Sequence, residues 1–500
     1  MRVRFAPSPT GYLHIGGLRT ALYNFLLARK HGGTFVLRVE DTDRTRFVED
    51  AEADILSSLT WAGIQFDEGP GLNGGYGPYR QSERSTRYAE VANHLIEHEK
   101  AYIAFDSSEE IDALKERLRT PENPSPRYDH ETRLSMSNSL TMSSEDVARK
   151  VAAGEEYVVR LLVTPGSQIK FTDVIRGEVE FDSATVDDQV LVKSDGLPTY
   201  HLANIVDDHD MAITHVIRGE EWLPSTPKHV LLYQAMGWDV PQMAHLPLIL
   251  SPTGGKLSKR NADKQGIPVS VSQYREAGYE AHALVNFLAM LGWNPGDDRE
   301  VFSMEELIEA FSLERVGQSG VQFDLQKLEW FNEHWLRSRS DSDIADELET
   351  SIQDTFSDVS REHLVEAVAL MKDRLSFASD LLEAEYLFRR PSSYDEKSVA
   401  KRWKDDSPVV LAAFADSLES VDEWTLDKLE EALQTFVEIH EMGMGKIMFP
   451  IRLALSGQPS GPGLYEMMAL FGKDETIARF RACNDALALQ AGETPSTPTS

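Results

Sequence analysis

The sequence predicts a multidomain chain, α/β in its N-terminal half and all-α after that, with a parallel sheet interrupted by an α+β insertion. Three observations lead there. A strand–helix–strand pattern opens the chain, with Val3–Phe5, an apolar-periodic stretch over 18–30 and Gly33–Glu40 in succession. Sheet-like segments alternate with polar and helical ones up to residue 250, and from about 272 to 491 the period is helical. At 500 residues the chain is too long for one core, so three to five domains are expected.

The first stretch sets up the rest. Arg4-Phe5-Ala6-Pro7-Ser8-Pro9-Thr10-Gly11 ends a buried strand in a rigid prolyl turn, and Leu13-His14-Ile15-Gly16-Gly17 leads into a helix. Strand, loop, glycine pair and helix start together suit an anion, because N–H groups and the positive helix end point at it. Alone, the same stretch also reads as a turn with an incidental histidine. The second strand ends in Glu40-Asp41-Thr42-Asp43-Arg44. In a parallel sheet ligands gather at the carboxyl ends of strands, where Arg4 and Glu40 both fall. An ion pair between neighbouring strands is the other reading of that pair.

Amphipathic helices are expected over 48–62 and 84–99, separated by the glycine- and proline-rich loop 69–78. Residues 101–192 form the insertion, with a helix at 108–118, a polar segment at 120–144, a short helix and β-like runs at 157–163, 168–173 and 178–181. The sheet pattern resumes at Val190–Lys193, continues through Asp195-Gly-Leu-Pro-Thr-Tyr200 and a strand at 213–218, and ends at His245–Leu250 after a helix at 225–236. Ser251-Pro-Thr-Gly-Gly255-Lys256-Leu-Ser-Lys259-Arg260 is a glycine loop with three cations in five positions. Helical breaks are expected at 292–300, 317–322, 389–393 and 456–463, and a frayed tail at 492–500.

Composition narrows the function. A formal charge of −32 argues against a general nucleic-acid binder, but residues 1–48 carry eight Arg or Lys against three acids, a basic front able to focus an anionic ligand. One cysteine excludes an internal disulfide framework, and no segment reads as a membrane span or export signal, so a cytoplasmic protein is expected. The basic residues divide into 32 Arg and 18 Lys, and scarce lysine beside abundant acid points to a salt-adapted host. Activity and melting temperature should then rise with KCl; a flat or falling response would contradict that reading.

Two distant elements thus stand ready for a triphosphate: His14 with its glycines, and the lysine loop. Nucleotidyl transfer asks for in-line positioning and for charge neutralisation as pyrophosphate leaves. The P-loop pattern is absent.

These residues resemble the class I aminoacyl-tRNA synthetases, whose two signatures match Ser8-Pro-Thr-Gly-x-x-His14-Ile-Gly16-Gly17 and Lys256-Leu-Ser-Lys259-Arg260. Arg4–Gly11, Val39–Arg44, Tyr79–Arg84, Asp195–Asn204, Arg218-Gly-Glu-Glu-Trp222, Gly445–Arg452 and Gly461–Gly463 resemble the bacterial-type glutamyl-tRNA synthetases specifically, and this covers nearly the whole chain. The resemblance implies a Rossmann-type catalytic domain in two halves (1–100 and 193–250) and an acceptor-binding insertion (101–192). It further implies a lysine-loop and stem-contact region (251–325), two helical anticodon-binding domains (326–383 and 384–491) and a disordered tail (492–500).

It also implies ATP-dependent activation of L-glutamate to glutamyl-adenylate and transfer to tRNA-Glu, the first step itself generally requiring bound tRNA. His14, Gly16, Gly17, Lys256 and Lys259 would hold ATP, with His14 and the two lysines catalytic and Mg²⁺ bridging phosphate oxygens. The amino-acid pocket follows from chemistry as well. Glu40 is the anion for the ammonium, Arg4 and Arg218 offer forked donors to carboxylates, and Tyr200, Asn204 and Ser8 supply neutral hydrogen bonds. Some relatives bind zinc through Cys-x-Cys in the insertion. Here Tyr102-Ile-Ala104-Phe-Asp106 and Tyr128–Arg133 lack cysteine, so no structural zinc is expected, and His130 reads as part of a surface turn. Arg374, on an expected helix with Lys372, and Lys446 are the candidate tRNA contacts. A monomer is expected. The nearest rival, a glutaminyl enzyme, would carry C-terminal β-barrels; a catalytically dead tRNA-binding protein would not keep His14, Glu40 and Lys259.

Overall fold

The computed structural model describes residues 1–43, 45–72, 74–257 and 266–490. Arg44, Lys259, Arg260 and the tail 492–500, all named above, lie outside the described residues. The chain separates into two compact units, Met1–Phe331 and Asn332–Ser500.

In the first unit β1 (Arg2–Phe5), α1 (Ile15–Lys30) and β2 (Thr34–Leu37) form the expected unit, with β1 and β2 parallel and Arg4 opposite Val36. All of β1 after Arg2 except Arg4 is apolar, yet Val3, Arg4 and Phe5 are equally buried, so Arg4 needs partners inside the protein. The chain continues through α2 (Ala51–Trp61), α3 (Ser85–Glu97), β3 (Ala101–Ala104), α4 (Ser108–Leu118) and α5 (Ser144–Ala152). Then follow β4 (Val158–Leu161), β5 (Gln168–Asp173), β6 (Gly177–Asp182), β7 (Val190–Val192), α6 (Tyr200–Asp210), β8 (His215–Gly219), α7 (Thr226–Met236) and β9 (Gln242–Leu246).

Two strand placements differ from the sequence reading. The β5–β6 hairpin does not join the insertion's sheet. It extends the parallel one, with Asp173 on β5 paired to Met243 on β9, giving the order β6-β5-β9-β8. Conversely Val190–Val192 pairs antiparallel with β4 in a three-stranded sheet β3-β4-β7, so the parallel sheet resumes only at β8. The reason is burial: β5 alternates exposed and buried residues, so one face needs an apolar partner, and the α7–β9 layer supplies it. The segment expected as one last strand divides into β9 and β10 (Ile249–Leu250), which pairs with β11 (Val321–Gln322) inside a break expected to be irregular.

The second unit is helical. Its helices run Asp341–Thr355, Arg361–Met371, Glu396–Arg402, Ser407–Leu418, Leu426–Ile439, Gly445–Ser456 and Leu464–Gln490. More breaks occur than apolar spacing indicates, because Ser340 and Ser360 cap new helices by accepting N–H bonds from Asp343 and His363. Two apolar clusters form its core and share Leu370, Tyr386 and Phe471. No described helix is long and apolar enough to cross a membrane.

Candidate active site

A cavity of about 1080 Å³ opens at the carboxyl ends of β1, β2 and β8. Arg4, Ser8, His14, Gly16, Gly17, Glu40, Tyr200, Asn204, Arg218 and Lys256, which lie up to 252 positions apart in sequence, all line it. The prolyl loop is held to the chain that continues from β2. Pro7 accepts the Glu40 N–H at 2.9 Å and Pro9 that of Val48 at 3.1 Å. The prolines donate nothing, so their carbonyls alone carry the pairing.

At the α1 end of the cavity, His14 is the N-cap of α1, and its Nδ1 accepts the Gly17 N–H at 3.1 Å. The imidazole proton of the neutral ring therefore sits on Nε2. The helix start is less bare than the sequence suggests. Ile15 N–H bonds Val269 O at 3.1 Å and Leu18 N–H bonds His14 O at 3.0 Å, so only the Gly16 N–H of the first turn has no protein acceptor among the described residues. A Cβ on Gly16 would stand 3.1 Å from His14 Nδ1, so glycine there keeps the ring in place. On the far side Ser251–Gly255 turns back from β10, with Gly254 and Gly255 at positive φ, and Lys256 Nζ pairs with Glu221 Oε1 at 3.0 Å. Downstream, Val271 N–H bonds Leu13 O at 2.8 Å. Val269, which faces the cavity, thus stands beside the histidine turn, while Leu257 lines the same cavity and bonds back to Ile249 O.

The side of the cavity formed by Arg4 and Glu40 rests on a buried charge network that spacing did not reveal. Arg4 does not pair with Glu40. Its Nε donates to Asp208 Oδ1 at 3.0 Å and its Nη2 to Asn204 Oδ1 at 3.3 Å. Glu40 instead accepts from Arg38 at 3.0 Å, and Arg38 also reaches Asp208 at 2.6 Å and Asn204 at 3.0 Å. Arg84, Gln81 and Tyr88 close the network around Asp207. Arg38 and Asp208 are the site-forming residues sequence reasoning missed. The available signals were Arg38 two positions before Glu40, hence on the same side of the strand, and two adjacent acids directly after the apolar pair Ile205-Val206 on a helix. Burial pushes the Glu40 carboxyl above its ordinary value, against the pull of Arg38 and Arg4. A ligand ammonium at Glu40 would relieve that cost. Burial also pushes the Asp208 carboxyl upward, but Arg4 and Arg38 outweigh it and hold it below its usual range.

Arg218, at the end of β8, lies in a different setting. Its Nε donates to His245 Nε2 at 3.1 Å, Nη1 to Tyr200 OH at 2.9 Å and to His229 Nδ1 at 3.2 Å, and Nη2 to Thr226 Oγ1 at 2.9 Å. Burial keeps the Tyr200 hydroxyl protonated, so it accepts from Arg218 and still has a proton to give. His201, hydrogen-bonded to His229 at 3.1 Å, is held down to about 4 by burial, with His229 and His245 lowered for the same first reason.

The sign of the pH dependence follows. These rings are neutral in the fold but protonate near 6.5 once unfolded, so the unfolded chain binds more protons as pH falls below that value. Their contribution to stability is fully present above 6.5 and is lost as pH drops toward 4. The melting temperature should fall across this window, and less steeply in His229→Asn; equal slopes would contradict the assignment.

Residues 1–330 match the family described as tRNA synthetases class I (E and Q), catalytic domain, and residues 333–483 match the anticodon binding domain family. The chain belongs to the class I tRNA synthetases of the E and Q branch. Among curated relatives, a glutamate–tRNA ligase of Flavobacterium johnsoniae is 47% identical, with 97% of this chain and 99% of the relative covered. One of Bacteroides fragilis is 48% identical over the same shares. A crystal structure of a glutamate tRNA ligase from Elizabethkingia meningosepticum in complex with its amino acid aligns at TM-score 0.93 and 42% identity, covering 97% of this chain and 99% of that one.

In the synthetase's insertion, Tyr102 donates to Asp188 at 2.7 Å and Tyr128 to Asp106 at 2.7 Å. His130 lies in a turn 4.0 Å from Glu131. Among the described residues, no three His, Cys, Asp or Glu side chains converge as a metal site. In the second unit, Arg374 does not lie on a regular α-helix as expected. It ends a 3₁₀ turn, Lys372–Arg374, after the helix stops at Met371, and its side chain is exposed. Lys446 starts the helix Gly445–Ser456 and pairs with Asp406.

Proposed function

We propose that this synthetase attaches L-glutamate to tRNA-Glu through a glutamyl-adenylate, releasing pyrophosphate and then AMP. One observation carries the reading: a single cavity presents two arginines and a buried carboxylate at one end and a histidine-capped helix start with a lysine at the other. Glutamate is its own nucleophile, so the protein has to orient and neutralise. Glu40 takes the ammonium. Arg218 and the free arm of Arg4 take the two carboxylates, with Tyr200, Asn204 and Ser8 completing the pocket. Rejection of glutamine follows, because an amide NH₂ facing a buried guanidinium leaves charge unanswered.

His14 Nε2–H and the Gly16 N–H meet ATP phosphate oxygens, with Gly17 allowing the close turn. Lys256, and Lys259 beyond the described residues, neutralise the α-phosphate and the departing pyrophosphate. Carboxylates near this end are already engaged, Glu221 by Lys256 and Asp43 by Thr45 and Arg46. The site therefore suits a Mg²⁺ ion carried chiefly by phosphate oxygens and water. When bound, that ion supplies charge neutralisation to the phosphates.

Arg374 and Lys446 contact tRNA, the insertion receives its acceptor end, and the enzyme acts as a cytoplasmic monomer without structural zinc. The domain divisions given above follow from the same reading. Charging of purified tRNA-Glu and tRNA-Gln with labelled glutamate in parallel tests it. Glutamyl-tRNA-Glu formation is expected; charging of either tRNA by labelled glutamine in place of glutamate, or no product on either tRNA, would overturn it.

A further inference from the structure

Of the two arginines in the amino-acid pocket, only one has a carboxylate partner among the described residues. Arg4 is answered by Asp208. Around Arg218 the four protein groups that accept its N–H bonds at 3.2 Å or less are all uncharged: Tyr200, Thr226, His229 and His245. Nearby carboxylates are bound elsewhere. Glu220 holds Arg176, Glu221 holds Lys256, and Glu40 holds Arg38.

The ring protons are dictated by the bonds. Asp173 Oδ2 lies 2.6 Å from His245 Nδ1 and also accepts the His245 backbone N–H at 3.1 Å, which puts the ring proton on Nδ1 and leaves Nε2 a bare acceptor for Arg218. His229 accepts from Arg218 at Nδ1, so its proton sits on Nε2 and is given to His201 Nδ1 at 3.1 Å. Asp173 comes from β5, the hairpin strand that joins the parallel sheet beside His245 on β9. The hairpin's position in the sheet is thus part of the site. His229, His245 and Asp173 are all at least 99% buried, so no solvent competes for these bonds.

Resting on the glutamate reading above, we propose that His229, His245 and Thr226 are positioning residues that hold Arg218 by neutral acceptors only, with Asp173 acting through His245. They thereby keep its full positive charge for the ligand carboxylate and set the preference for an acid over its amide. A carboxylate in any of the acceptor places would hold the guanidinium equally well in space, but would cancel the charge that distinguishes glutamate from glutamine. The cradle positions without neutralising.

The test separates charge from shape. Asparagine at 229 offers an oxygen near the Nδ1 position, and aspartate differs from it almost only in charge. Glutamate KM in His229→Asp should exceed that in His229→Asn by about tenfold or more, with ATP KM alike in both and the glutamate-over-glutamine ratio narrowed in the aspartate variant alone. Thr226→Asp against Thr226→Asn repeats the comparison from the Nη2 side, so one unstable protein does not remove it. Glutamate KM values within about twofold between the charged and uncharged members of the pairs would overturn the proposal. Wild-type enzyme that activates no glutamate would instead overturn the glutamate reading itself, and the two failures are distinct.

Discussion

Arg218→Ala should lower kcat/KM for glutamate by roughly 10³-fold, with ATP KM nearly unchanged. The buried guanidinium is fixed by four side chains, so it is already in place before the ligand arrives and little ordering remains to be done on binding. Truncation removes the charge and also leaves His229, His245, Tyr200 and Thr226 facing a vacated space, and water entering it would weaken every remaining contact. The loss should appear mostly in glutamate KM if the contact is equal in ground and transition states, and in kcat if it tightens as the α-phosphate is attacked. A change below about tenfold would transfer the main carboxylate contact to Arg4.

Asp208→Asn should destabilise the first unit by about 3–5 kcal/mol, read as a lower urea midpoint. The carboxylate is 1% exposed and serves two buried arginines at once, at 3.0 and 2.6 Å. Without its charge, Arg4 and Arg38 have, among the described residues, only Glu40 and the more distant Asp207, 3.6 Å from Arg38 Nε and itself committed to Arg84. Glutamate KM should rise too, because Arg4 loses the group that aims it. A shift below about 1 kcal/mol would mean the network is set by packing rather than by charge.

The parts of the site that could be read from sequence are those in which one residue type is forced by local geometry. Two prolines, a glycine pair and an apolar period make the Arg4–Lys30 turn visible, and a run of cations after two glycines makes the lysine loop visible. What remained hidden needs three-dimensional pairing. The bond of Asp173 to His245 spans 72 positions and that of Arg4 to Asp208 spans 204, and neither leaves a local spacing. The hairpin β5–β6 reads as part of the insertion because it is continuous with it in sequence. Its sheet is decided by which apolar face is open, and spacing does not carry that information. The same holds for the first turn of α1, where N–H groups expected for an anion are partly taken by His14 and Val269.

One cavity is proposed to join glutamate to ATP without a protein nucleophile. Exchange of labelled pyrophosphate into ATP, with glutamate or glutamine and with or without tRNA-Glu, tests it most directly. Exchange that depends on glutamate, is strongest with tRNA present and is negligible with glutamine is the expected result. No exchange with glutamate under either condition, or equal exchange with glutamine, would contradict it.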